Sequence, residues 1–402
     1  MASVAVPGPL GPYAAGFRQE LTRLGYTPLS AIVHMRLVAR LSRWLAEHEM
    51  DVQGLTAARV EAFFAERRAA GYTNSRTARS VQPLVDYLQR IEAVAPYAPP
   101  PPTTSTQLVL ARYAEYLRLE RGLAEPTVAL NVRLVRPFLD DREQTRQGRL
   151  DLEQLTAVEV TQFVTESSRR RPASSTKRMV TGLRSLLRFL HVEGLVGEPL
   201  VGAVPSPAGW TLTGLPKALK PDEVDALLAS CDRSIPTGRR DFAILTLLAR
   251  LGLRVGEVAV LRLEDVDWRH GEIIVRGKGN RHDALPLPDD VGQALVVYLT
   301  DGRPEGALDR TVFVRAQAPY RALTASGVIQ VVIYAGQRCG LRLRGAHRLR
   351  HSAATAVLRS GGSLEEVGQL LRHARLATSA IYGKVDVDRL RQLARPWPGT
   401  AV

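Results

Sequence analysis

Along this chain of 402 residues, apolar positions recur mostly at three- and four-residue steps, which is the signature of helices packed along one side. Val180, Leu183, Leu187 and Leu190 fall on one helical stripe, and Ser174 and Ser175 are placed to cap its start. Lys177, Arg184 and Arg188 fall on a different stripe, with Arg169, Arg170 and Arg171 just upstream. Such a helix buries one side and offers cations on another, suited to a nucleic-acid backbone or simply to water. Further on, LKPDEVDALLASC sets Pro221 at an early helical position and follows it with Asp222 and Glu223, as a helix N-terminus favours. An apolar helix over 241–251, a turn at Gly252 and a second helix carrying Arg254, Gly256 and Glu257 come next. Then the period shortens. GEIIVRGKGNRHDALPLP alternates in β-prone runs about a Gly-Lys-Gly-Asn turn, predicting a hairpin with Lys278 at or near its tip. Helical spacing resumes near Thr324, so the fold class is mainly α with a small β-sheet.

Two proline-rich joints, APYAPPPPTT over 95–104 and VPSPAGWTLTGLP over 204–216, interrupt the helical pattern. They predict an N-terminal helical domain over 1–95, a linker over 96–104, a second helical domain over 105–204, a linker over 205–216 and a third domain over 217–402. The first two resemble each other. DVQGLTAARVEAFF from Asp51 matches DLEQLTAVEVTQFV from Asp151 at an offset of 100, and Arg36, Leu37 and Val38 match Arg133, Leu134 and Val135 at an offset of 97. The first domain is therefore a possible duplicate of the second, or two Leu/Ala/Arg-rich bundles share a pattern by chance. In the first copy Arg76 and Arg79 stand where the second has its cationic stripe, and Pro83 is expected to disturb the helix.

Charge narrows the partner. With 54 Lys plus Arg against 40 Asp plus Glu, the net charge of +14 favours a polyanion: DNA, RNA or an anionic membrane. No basic amphipathic anchor or lipidation signal is evident, which leaves nucleic acid ahead of membrane. Cys231 and Cys339 have no spacing suited to zinc or to a disulfide framework. No signal peptide or membrane span is evident, so a cytoplasmic protein is expected.

Tyr382 stands nine residues after His373 in LLRHARLATSAIYGK, and His347, Arg350 and Arg254 lie upstream. This mixture suits attack of a phenol on a phosphodiester. Charge on the nonbridging oxygens grows in the pentavalent transition state, and two guanidinium groups can hold both oxygens without a metal. His347 and Arg350, three apart in HRLRH, project from one helical face toward one phosphate.

LGLRVGEVAVLRLEDVDW, VRGKGNRHDALPLP, HRLRHSAAT and LLRHARLATSAIYGK resemble, in that order, the first arginine motif, the lysine hairpin, the His-x-x-Arg motif and the nucleophile motif of the tyrosine recombinases, or phage integrase family. The resemblance implies helical DNA-binding bundles followed by a mixed α/β catalytic domain. It implies that Tyr382 attacks a scissile phosphate to leave a 3′-phosphotyrosyl enzyme, and that Arg254 and Arg350 bind the nonbridging oxygens. Lys278 would protonate the departing 5′-oxygen, His347 would move the phenolic proton, and His373 would hydrogen bond or orient the phosphate. No metal is needed, since the two guanidinium groups hold the oxygens, and no ATP, since the bond's energy stays in the covalent link. Glu257 is placed to orient a helical neighbour, His351 to pack or cap, and Arg342, Arg344 and Arg348 to contact the DNA backbone or water. Arg372 stands where the nucleophile motif usually has glycine, which puts the helix packing near His373 in question, although another cation facing phosphate is compatible with the chemistry.

The implied partner is double-stranded DNA, cut and rejoined for integration, excision or resolution of a mobile element or replicon. The implied assembly is a homotetramer, or a heterotetramer with a related recombinase, acting at the nucleoid. A terminal segment such as DVDRLRQLAR, with Leu390 and Leu393, would dock on a neighbouring protomer or pack on its own domain. A type IB topoisomerase and a non-catalytic DNA-binding regulator of the same fold are the alternatives.

Overall fold

The computed structural model describes residues 4–74, 77–97, 101–206, 218–277, 281–373, Ser379 and Tyr382. Its chain forms two compact units, the first of residues 1–97 together with 214–402 and the second of residues 98–213.

The first unit begins with helices α1 (Ala14–Arg23), α2 (Pro28–Glu47), α3 (Ala57–Ala69) and α4 (Gln82–Arg90) around Phe17, Trp44, Phe63, Phe64 and Leu88. Pro83 does not disturb α4. It sits in the first turn, where its missing N–H would have had no helical partner, and so starts the helix. Arg76 lies outside the described residues.

The second unit holds α5 (Ser105–Leu119), α6 (Glu125–Thr145), α7 (Ala157–Arg169) and α8 (Ala173–Val192) around Tyr113, Phe138, Leu183 and Phe189. Thr56 caps α3 and Thr156 caps α7 through the side-chain oxygen, and both helices bury the valine at their fourth position, Val60 and Val160. Arg142, buried in α6, donates to the carbonyls of Leu150 (2.7 Å) and Asp151 (2.5 Å) and to the Glu159 carboxylate (3.0 Å), tying the α6–α7 connection to α7. Backbone and hydroxyl donors at Thr156, with Arg146 and Arg142, overcome the opposing effect of burial and hold Glu159 down at about 2. Ser174 and Ser175 do not cap α8. Pro172 precedes the helix and supplies no side-chain acceptor, so the two serines lie inside the first turn.

The remainder of the first unit contains α9 (Pro221–Ala229), α10 (Pro236–Arg250), α11 (Val255–Val260), β1 (Val266–Asp267), β2 (Glu272–Arg276), β3 (His282–Pro286), α12 (Asp289–Asp301), α13 (Ala325–Arg338), α14 (His347–Arg359) and α15 (Leu364–Leu370). Helix α10 begins earlier than the apolar run suggests, because Pro236 presets its first turn. Helix α12 falls where no helix was expected. Asp289 and Asp290 after Pro288 favour its start, and Val291, Ala294, Leu295 and Tyr298 carry its buried stripe. The three strands pair antiparallel in the order β1-β2-β3, with Ile273 opposite Leu285, and Ile273 and Val275 face the core. Among the described residues, no helix is long and apolar enough to cross a membrane.

Candidate active site

The site begins where α10 ends. Gly252 has φ +57°, and a Cβ there would stand 2.8 Å from Leu371 Cδ2 and 3.3 Å from Ala353 Cβ, so both backbone and space require glycine. This close turn delivers Arg254 to the N-cap of α11, where its backbone N–H donates to Glu257 Oε2 (2.8 Å) and its guanidinium to Glu257 Oε1 (2.6 Å). Arg350, in the first turn of α14, is only 5% exposed and donates to the carbonyls of Gly252 and Leu371. One guanidinium thus holds the loop before Arg254 against the segment that leads to His373.

Arg372 follows α15 with φ +51°, a left-handed conformation that suits glycine. Its side chain turns inward rather than toward open solvent, and donates to Glu257 Oε2 at 2.7 Å. Buried Glu257 therefore carries two arginines. Burial opposes its ionisation, but the Arg254 backbone N–H and the two guanidinium groups outweigh that and hold its carboxyl below the usual range.

Tyr382 is 3% exposed and packs on Ala354, Leu358, Val367 and Leu371. Its hydroxyl lies 2.8 Å from His351 Nδ1, and its ring stacks on that of His373 at 6.4 Å between centroids and 16° between planes. His373 Nδ1 is in turn 2.9 Å from Ser379 Oγ. The His347 and His351 rings meet edge to face at 4.5 Å. Burial pushes the Tyr382 phenol up, opposed by Arg350. Burial and the surrounding arginines push His347 down; burial, His347 and Arg350 carry His351 to about 4, and burial with Arg350 and Arg254 does the same for His373. All three imidazoles are neutral near pH 7. Arg350 is lowered to about 10 by burial, then by Arg254 and Arg372, yet stays protonated. A buried guanidinium crowded by two neighbouring cations forms a site prepared for an anion.

The fold thus gathers Arg254, His347, Arg350, His373 and Tyr382 in one unit. Lys278 lies outside the described residues, as do Leu390 and Leu393. The hairpin ends Gly277 and Arg281 line an open cleft of about 1390 Å³ together with Arg254, Arg372 and His373. His351, expected to pack or cap, packs on the Tyr382 ring and also lies within hydrogen-bond distance of its hydroxyl. The signal was present, since His347, His351, Ala354 and Leu358 share one helical stripe, and Tyr382 covers its last three members. In the second unit Arg169, Arg170, Lys177 and Arg188 are exposed. Arg184 is instead engaged by the Val204 carbonyl (2.9 Å) and Ser206 Oγ (2.8 Å), so it anchors the chain after α8. Among the described residues, no His/Cys/Asp/Glu group could hold a metal.

Residues 217–389 match the model of the phage integrase family, and residues 110–194 match that of the phage integrase N-terminal SAM-like domain. The chain is 37% identical to y4rA of Sinorhizobium fredii, named as an integrase/recombinase, over 98% of this chain and 96% of that one. It is 32% identical to the tyrosine recombinase XerD of Mycobacterium tuberculosis over 73% of this chain and 96% of that protein. Among solved structures, XerH bound to its difH substrate before cleavage has the same fold, with a TM-score of 0.56 at 21% identity over 84% of this chain and 94% of that chain. With this agreement in sequence and fold, the chain belongs to the phage integrase family: it is a tyrosine recombinase, an enzyme that cleaves and rejoins DNA.

Proposed function

We propose that this enzyme exchanges DNA strands at specific sites through a 3′-phosphotyrosyl intermediate formed on Tyr382. The observation that carries the reading is the Tyr382 hydroxyl, hydrogen bonded to a neutral imidazole beside a guanidinium that already feels two other cations. Arg254 and Arg350 bind the nonbridging oxygens and stabilise the charge that grows on them. The phenolic oxygen attacks phosphorus, its proton passes to the His351/His347 pair, and the bond to the 5′-oxygen breaks. Lys278 protonates that leaving oxygen, because an alkoxide departs poorly. His373, stacked on the Tyr382 ring, orients the phenol and the phosphate.

The exposed Arg169, Arg170, Lys177 and Arg188 support DNA backbone contacts by the second helical domain. The repeated threonine caps and buried valines support a first domain duplicated from the second, serving accessory DNA sequences or protomer contacts. Two duplexes exchanging four strands need four nucleophiles, so the working assembly is a homotetramer or a heterotetramer with a related recombinase. Cytoplasmic action at the nucleoid, on a mobile element or a replicon, completes the reading.

The test starts from junctions that the purified protein generates in its native genomic neighbourhood, which define the site. A nicked suicide duplex of that site should trap a protease-sensitive covalent adduct with wild type and none with Tyr382→Phe. An undiminished adduct would remove Tyr382 from the role. Relaxation of plasmids lacking the site, without two-site recombination, would favour the topoisomerase alternative.

A further inference from the structure

Arg372 has a conformation that disfavours it and a burial that disfavours it. Its φ of +51° is one that L side chains rarely adopt, and its side chain is only 7% exposed. Against those stand specific partners: NH2 donates to Glu257 Oε2 at 2.7 Å, NH1 to the Leu370 carbonyl at 3.1 Å, and Asp283 lies 4.0 Å from Nε, which has no hydrogen-bond partner. The same Glu257 holds the Arg254 guanidinium at 2.6 Å through its other oxygen. With Arg254 alone, the buried carboxylate would cancel the charge of a phosphate-binding arginine and confront the incoming phosphate with an anion. With Arg372 present, two cations face the buried Glu257 carboxylate, while Asp283, 40% exposed and 4.0 Å away, is screened by solvent, so the buried part of the cluster keeps one net positive charge.

We propose that Arg372 is a positioning residue, the counter-ion of buried Glu257 that leaves the Arg254 charge available to the scissile phosphate. The assignment rests on the strand-exchange reading above. It differs from a direct DNA contact, because Arg372 acts only through Glu257. It also differs from a packing role, because charge rather than volume is what Glu257 requires.

The test measures single-turnover adduct formation on the suicide duplex, site affinity and thermal unfolding for R372G, R372K, E257Q and E257Q/R372G. Glycine suits the backbone at this position, so R372G should stay folded and bind the site within about twofold of wild type, while adduct forms at least about tenfold more slowly. R372K, which restores the countercharge, should recover most of that rate. In the E257Q background the R372G defect should shrink to less than about threefold, since no carboxylate remains to be neutralised. Wild-type cleavage by R372G overturns the assignment, as does an equal R372G defect in the wild-type and E257Q backgrounds. A failure of R372K to recover any rate overturns it as well. If wild type itself forms no adduct, the strand-exchange reading has failed and this assignment falls with it; adduct from wild type with an indifferent R372G refutes Arg372 alone.

Discussion

Arg350→Lys separates the carbonyl bridge that this guanidinium makes from the phosphate clamp that the proposed mechanism assigns to it. Its fork donates to the carbonyls of Gly252 and Leu371, which belong to segments brought together only by folding. A lysine ammonium is a point donor on a flexible stem and can keep at most one of those bonds at full strength. Each hydrogen bond from a charged group contributes about 1.5–3 kcal/mol, so the substitution should cost the fold about 2 kcal/mol. For a domain of this size that corresponds to a fall in melting temperature of about 4–8 °C. The chemical step should suffer more, by about 10²–10³ in single-turnover adduct formation, the loss typical of one donor to a developing oxyanion. Site affinity should change little, because positive charge is retained and many other cations meet the DNA backbone. Thermal unfolding, adduct formation on the suicide duplex and a binding titration read the three quantities separately. An unchanged melting temperature would mean the carbonyl bridge does not hold the site. A loss of binding equal to the loss of cleavage would make Arg350 a general anchor instead of a clamp on the reacting phosphate.

Two further outcomes follow from the imidazoles. His351→Phe removes the acceptor 2.8 Å from the Tyr382 hydroxyl and should slow the first turnover by about 10²-fold, the lower end for a lost general base, with site affinity unchanged; equal rates would return His351 to packing alone. His351 and His373 are held near 4 in the folded enzyme against an unfolded value of about 6.5, so the unfolded chain binds more protons between those limits. Stability present above pH 6.5 should therefore fall as the pH drops toward 4, by up to about 1.4 kcal/mol per pH unit for each ring and about half that after allowing for their partial exposure. Unfolding midpoints between pH 7.5 and 5 for wild type and His351→Phe check this, and parallel pH dependences would refute it.

The features legible in the sequence are those whose partners are close along the chain. The repeat that aligns Thr56 with Thr156 marks two helix starts, Gly252 turns the backbone locally, and His347 and Arg350 share the first turn of α14. The hairpin of β2 and β3 is read from alternation across a short turn. What the linear pattern hides are contacts that depend on where a distant segment returns. Arg184 lies on the cationic stripe, but the chain after α8 comes back 20 residues later to engage it. Arg372 reads as a cation for solvent or phosphate until Glu257, 115 residues earlier, is placed beneath it.

His351 shows why such a residue escapes notice even when its stripe is visible. On α14 two adjacent rows run side by side: Arg350 with Ala353 faces the Gly252 turn, whereas His351, Ala354 and Leu358 face Tyr382. Spacing alone assigns each residue to a row and is silent about which row receives Tyr382. Once Tyr382 covers Ala354 and Leu358, the buried hydroxyl at the end of its ring needs a polar partner, and His351 is the member of that row positioned to supply one. Packing of the Tyr382 ring and the choice of its hydrogen-bond partner are therefore a single event. A variant that leaves the row apolar and intact but lacks the imidazole should keep Tyr382 in place and lose the proton path alone.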